Sequence, residues 1–277
     1  MKRCVVPCLF LLIAALLGGL VVWPQGVAAG RVASFNSQCQ PDHTAKDDPI
    51  VFPGRPGASH SHDFFGAVDI DAFSTARDLR GGATTCRDSR DTAGYWVPTL
   101  YLDGQPVPAR YSAAYYSAGG KDRSSIKPFP HGLEMVAGGT PQTVSWGCRD
   151  QGAAVRRLRD GPGDFFECLP EWDAATVAHV EFPDCWDGVN LEAPDQSHMA
   201  YAGASRSCPK SHPVPVPELN LHINYGVLPP GVPSLASGDP STLHADFINS
   251  WHQPRLKRLI QKCIHGGRNC REASLVD

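Results

Sequence analysis

Three stretches of the chain set histidines beside carboxylates or hydroxyls. The first runs from Asp47-Asp48-Pro49 to Ser59-His60-Ser61-His62-Asp63. In an extended chain alternate side chains share a face, so His60 and His62 would point the same way, as a metal-ligand pair or an acid/base pair requires. The second holds Cys185-Trp186-Asp187-Gly188 and, past a turn, Ser197-His198. The third is His244-Ala245-Asp246. Spacing alone is a weak signal. Eleven histidines in 277 residues give roughly 0.4 His-x-His pairs by chance.

The chemistry open to these residues divides in two. As acid/base machinery, His60, His62, His198 and His244 would work with Asp48, Asp187 or Asp246. A glycoside hydrolase needs one carboxylic acid of raised pKa and a second carboxylate across the cleft, whereas a lyase pairs a basic residue with a group that neutralises a uronate. As a metal centre, His60, His62 and His244 would be ligands, with an open position for water. No cofactor-binding motif is present, and a divalent metal is the one cofactor the histidines admit. A phosphate-binding loop, a G-x-S-x-G elbow and an H-E-x-x-H zinc helix are all missing from the sequence. His43, His131, His179, His212 and His265 read as surface or loop residues. Trp96, Tyr116, Trp186 and Trp251, with His222, could form a sugar-stacking platform, or each ring could simply fill core.

The elements that must position these groups are short and sheet-like. Gly at 27 and Pro at 25 argue against a helical bundle. Residues 95–102 read as a strand followed by the tight turn Asp103-Gly104, with Pro98 demoting it to an edge or a bulge. Residues 132–137, 143–148 and 177–182 are further strand candidates. Residues 219–225 alternate without a break: Leu219, Leu221, Ile223 and Tyr225 against Asn220, His222 and Asn224. Near the C-terminus Pro254 opens a helical pattern in which Leu256, Leu259, Ile260, Cys263 and Ile264 form one stripe. Arg255, Lys257, Arg258 and Lys262 would form its solvated side, and Gly266-Gly267 would end it. The expected fold is mainly β, a sandwich or jelly roll with many loops, stapled by disulfides and closed by one C-terminal amphipathic helix. No repeat or linker-like composition divides it.

The N-terminus sets the compartment. Lys2 and Arg3 precede an uncharged run at residues 5–23, and Val27-Ala28-Ala29 offers a cleavage site. We read residues 1–29 as a signal peptide and residues 30–277 as one secreted domain, expected to be a monomer with no membrane span once the signal is removed. The formal net charge of −3 becomes −5 without Lys2 and Arg3, a balance that excludes an ordinary nucleic-acid binder. Eight of the ten cysteines follow the signal, and an even number in an exported chain reads as up to four disulfides. A cysteine zinc site is excluded because no Cys-x-x-Cys pair occurs.

Taken together, the motifs resemble a known family. Asp48-Pro49-Ile50-Val51 with Pro53-Gly54, His60-x-His62, Tyr95-Trp96-x-Pro98-x-Leu100-Tyr101, Cys185-Trp186-Asp187-Gly188, Ser197-His198-Met199-Ala200-Tyr201, Cys208-Pro209 with His212-Pro213, and His244-Ala245-Asp246-Phe247-Ile248-Asn249-x-Trp251 occur in order across residues 48–263. This is similar to the secreted family of actinobacteria and fungi known as domain of unknown function nineteen-ninety-six. The family has no established reaction. Its fungal members often carry carbohydrate-binding modules, so the resemblance implies polysaccharide or cell-wall glycan as the partner. Two departures stand out: Ser250 where the family commonly has Gly, and His252 where it has Asp, so His252 takes no role from the resemblance. The reading is an extracellular glycan-active enzyme, hydrolase ahead of lyase. A non-catalytic carbohydrate-binding module is the alternative. The enzyme reading expects His60, His62, His198 and His244 to converge in one cleft.

Overall fold

A computed structural model describes residues 32–139, 143–149, 168 and 174–271. The signal-peptide reading lies outside these residues. In chain order the strands are β1 (Ser34–Cys39), β2 (Pro41–Ala45), β3 (His62–Gly66), β4 (Gly94–Pro98), β5 (Leu100–Leu102), β6 (Gln105–Val107), β7 (Tyr111–Ser117), β8 (Glu134–Gly138) and β9 (Val144–Arg149). They continue as β10 (Ala175–Glu181), β11 (Cys185–Trp186), β12 (Met199–Ala200), β13 (Val214–Pro215), β14 (Glu218–Gly226), β15 (Pro233–Leu235), β16 (His244–Ile248) and β17 (Asn269–Cys270). Helix α1 (Ala76–Leu79) is one turn, and α2 (Gln253–Leu259) continues in wider turns through Ile260–His265.

The fold is mainly β. A six-stranded sheet, β17-β1-β7-β14-β10-β9, and a five-stranded sheet, β2-β3-β4-β16-β8, bury their facing sides in one hydrophobic cluster. The alternation in β14 has the expected outcome: Leu219, Leu221, Ile223 and Tyr225 enter the core beside Phe65, Tyr95, Val97 and Phe247 of the other sheet. Two three-stranded sheets, β15-β5-β6 and β12-β11-β13, flank this pair. All eight cysteines after residue 29 are bridged, as Cys39–Cys86, Cys148–Cys168, Cys185–Cys208 and Cys263–Cys270.

Two local expectations need correction, and one bridge needs placing. Pro98 is neither an edge nor a bulge: β4 pairs with β3 on one side and β16 on the other, and Pro98 is its last residue, where a missing N–H costs least. Arg255 is buried, not solvated, because Asp88 reaches it, with 2.7 Å between Nε and Oδ2. Cys263 bridges Cys270 of β17, seven positions along the chain, and the helix is held to the body both by its buried apolar stripe and by the pairing of β17 with β1.

A polar chain crosses the core. Trp251 Nε1 donates to the Tyr116 hydroxyl, the Tyr116 hydroxyl meets that of Tyr95, and Tyr95 donates to the Asp91 carboxylate at 3.0 Å. Asp91 is fully buried, and burial pushes its pKa up to about 7. The native state therefore keeps a proton that the unfolded chain releases near its ordinary value of 3.8. Stability from this group falls as pH rises from about 4 to about 7 and levels off above that window. Asp91→Asn is expected to remove that slope in urea titrations at several pH values. Parallel pH profiles for the two proteins would contradict the assignment.

Candidate functional site

The five-stranded sheet turns Ala245 and Phe247 of β16 toward the sandwich core. By the period of two, His244, Asp246 and Ile248 then face the opposite side. On β3 the same alternation turns Phe65 inward and sends His62 and Phe64 outward. His62 is register partner of Pro98, and Asp246 of Trp96. Continuing that register puts His62, Pro98 and His244 in one row across three strands, with backbones of the outer two about 10 Å apart. The two imidazoles reach toward each other and close that gap. Phe64, Trp96 and Ile248 continue the face as a second small core with Ile70 and Leu79.

A loop covers the polar end of this face, organised by its two aspartates. Asp47 Oδ1 accepts the backbone N–H of Gly57 at 2.9 Å. Asp48 Oδ1 accepts those of Ile50 and Val51 at 3.0 and 2.9 Å. The Asp47 carbonyl accepts from His62 Nδ1 at 3.0 Å, tying loop to strand.

Three imidazoles meet here. His244 Nε2 lies 3.2 Å from His60 Nε2 and 3.5 Å from His62 Nε2. Tautomers follow from the other ring nitrogens. A carbonyl only accepts, so the bond from His62 Nδ1 to Asp47 and the 2.9 Å bond from His244 Nδ1 to the Thr242 carbonyl place a proton on both Nδ1 atoms. In the neutral rings both facing Nε2 atoms then present lone pairs to each other. A proton on His60 Nε2 can occupy the lone pair of His244, and a cation between the rings can occupy all three. Tetrahedral zinc with Zn–N bonds of about 2.0–2.1 Å separates its nitrogens by about 3.3–3.4 Å, between the observed spacings of 3.2 and 3.5 Å.

Electrostatics agree with the geometry. Burial, with the charges of His60 and His244, lowers the His62 pKa to about 3. Burial and His244 lower that of His60 to about 4. Neutral rings are the ligating form. Asp48 and Asp246 lie with His62 in a group whose candidate ligand atoms are all within 4.8 Å of one another. Asp246 is fully buried, and neither carboxylate oxygen has a hydrogen-bond partner among the described residues. Burial holds its pKa, and that of Asp48, above the usual carboxylate range. His60 and His244 are partly exposed and His62 is buried, so the cluster opens on the His60 and His244 side.

Residues 48–251 match the family described as domain of unknown function (DUF1996). The chain belongs to the DUF1996 family. The DUF1996 region begins at Asp48 and ends at Trp251, so it contains all three histidines and both buried carboxylates, and it stops short of Cys263, where the motif resemblance ended. No curated protein and no solved structure matches the chain.

Other expected site residues lie elsewhere in the DUF1996 region. His198 does not join the three imidazoles. Its Nε2 bonds the Glu134 carbonyl at 2.7 Å, and Glu134 pairs with Ile248, four residues or roughly 13 Å along β16 from His244. Asp187 caps its own turn, accepting from the backbones of Val189 and Asn190. His222 stands on the outer face of the six-stranded sheet beside Tyr115 and His179, on the far side of the core. Three of the proposed platform rings are interior: Trp96 and Tyr116 have no exposed surface, and Trp251 has 1%. They cannot stack on a sugar. Trp186 alone of the four aromatic rings is partly exposed. Trp251→Ala is expected to cost about 3–5 kcal/mol in chemical denaturation, the usual cost of emptying a large aromatic site. A cost below about 1 kcal/mol would place that ring outside the core.

Sequence reasoning overlooked Glu134. It lies on the same outer face as Asp246, and burial, reinforced by Glu192 and then Asp48, raises its pKa to about 7. The sequence of β8 carried little signal, since Val136 interrupts the alternation and only the burial shows Met135 and Ala137 as the inward positions.

Proposed function

We propose that the protein is a secreted, metal-dependent enzyme that hydrolyses polysaccharide or cell-wall glycan, with His60, His62 and His244 as the metal ligands. The observation that carries this reading is the meeting of three Nε2 atoms, two of them stripped of their protons by backbone carbonyls bound at Nδ1. A divalent ion held there would supply Lewis-acid polarisation and a water ionised near neutral pH. The chain's own residues do the rest. The Asp47 and Thr242 carbonyls fix ring orientation, as outer partners of metal-bound histidines commonly do. Asp48 and Asp246, ionised in its presence, would supply negative charge that offsets a dication bound by neutral rings. Glu134, with a pKa of about 7, can hold or release a proton further along the same face.

Secretion is supported by the leader-like residues 1–29 and by four disulfides, which persist in oxidising compartments. Among the described residues no helix is long and apolar enough to cross a membrane. The glycan assignment rests on the motif resemblance. A purely carbohydrate-binding role draws less support, because three of the four candidate aromatic rings are interior. The test is a polysaccharide panel offered to zinc-loaded and metal-stripped protein, with reducing-end and unsaturated-product readouts. New reducing ends that require the metal are expected. Metal-independent turnover, or no turnover on any polymer by the loaded protein, would overturn the reading.

A further inference from the structure

A lysine and an aspartate that belong to neither histidine-containing cluster, 63 residues apart in sequence, meet in a dry setting. Lys121 Nζ contacts Asp184 Oδ2 directly, and their side chains are 2% and 6% exposed. Both residues are held in place. The Lys121 N–H bonds the Ala118 carbonyl at 2.9 Å. Asp184 is fixed by backbone bonds to Ala200 and Val216, and its Oδ1 accepts the Ala202 N–H at 2.8 Å. A second carboxyl group lies alongside. Glu218 opens β14 opposite Ser117, whose hydroxyl reaches Glu218 Oε1. A Cβ built on Gly119 would sit 2.7 Å from Glu218 Oε2 and 3.0 Å from Asp184 Oδ2, so the two carboxyl groups flank that glycine and only the missing side chain leaves them room.

We propose that Lys121 and Asp184 are joined by an intramolecular isopeptide bond, formed with the help of Glu218. A buried ion pair retains a desolvation cost that its mutual attraction often fails to recover. Proton transfer inside the pair removes both charges and leaves an amine facing a carboxylic acid. The Nζ lone pair attacks Asp184 Cγ, forming the C–N bond. Glu218 takes a proton from Nζ and delivers it to the departing Asp184 hydroxyl, and the C–O bond breaks with loss of one water. Glu218 ends as it began, and nothing is oxidised or reduced. Condensation is unfavourable for separate molecules in water, but groups held in contact reach effective molarities of about 10⁵–10⁸ M, and the site excludes the water that would reverse the step.

Intact mass decides the matter. Once the N-terminus of the purified protein is known, the wild type should weigh one water less than its sequence with four disulfides. Digestion after reduction should release a branched peptide linking Lys121 to Asp184. Lys121→Met should return to full sequence mass. Glu218→Gln should do the same while keeping both partners, which covers the case in which Lys121→Met fails to fold. A wild-type mass with no water missing overturns the proposal, as does a missing water that persists in Lys121→Met. Water loss that persists in Glu218→Gln removes Glu218 from the step.

Discussion

His244→Ala should leave the protein folded but without its bound divalent ion, and turnover should fall by about 100-fold or more. His244 is the variant of choice because its Nε2 is the atom within 3.5 Å of both other rings. Removing it leaves His60 and His62, two nitrogens in place of three, and exposes the lone pairs to water. The 100-fold figure is the lower end of what a positioned proton-transfer group contributes, and losing the ion removes polarisation as well. Elemental analysis of the purified variant, kinetics and circular dichroism together check the outcome. Chelation of the wild type should mimic the variant and lower its Tm, since an ion that binds only the native state stabilises it by mass action. Full activity in a metal-free His244→Ala protein would sink the metal reading. Lost activity with metal retained would recast the histidines as acid/base groups.

Asp246→Asn should pull stability and metal binding in opposite directions. The carboxyl is fully buried, without a partner among the described residues, and burial and the Asp48 charge raise its pKa. Without an ion the fold must hold it protonated or bury a charge, and either state costs free energy. Because the folded pKa exceeds the unfolded value, the metal-free protein loses stability from this group as pH rises above about 4, through to the folded pKa. The amide has the same shape and no such titration. Metal-free Asp246→Asn is therefore expected to be more stable than metal-free wild type at neutral pH, by at least about 1 kcal/mol. Its metal affinity should drop about 10–100-fold, the usual penalty for losing an outer carboxylate. Calorimetry of the two metal-free proteins and a metal titration of each test both halves. A variant less stable in the metal-free state would mean that Asp246 has a structural partner.

Much of this was legible in the sequence because it depends on local period and parity. Alternation alone put His60 with His62 and buried Leu219, Leu221, Ile223 and Tyr225 on one face. An even number of cysteines past a leader-like segment was enough to expect full pairing, although it could not name the partners. The helical stripe through Leu256, Leu259, Ile260, Cys263 and Ile264 is buried as its spacing requires. What only the tertiary structure decided is which face of each strand became interior and which distant strands became neighbours. The period says that His244 and Asp246 share a side, not that the side is the second face of a sheet whose first face is the core. His62 and His244 are 182 residues apart and meet only because β4, ending at Pro98, lies between their strands. The same long-range pairing buried Trp96, Tyr116 and Trp251, left Trp186 at the surface, and turned Glu134 onto the face that carries the histidines. Register between remote strands is set by burial summed over the whole sheet, a quantity that no window of neighbouring residues contains.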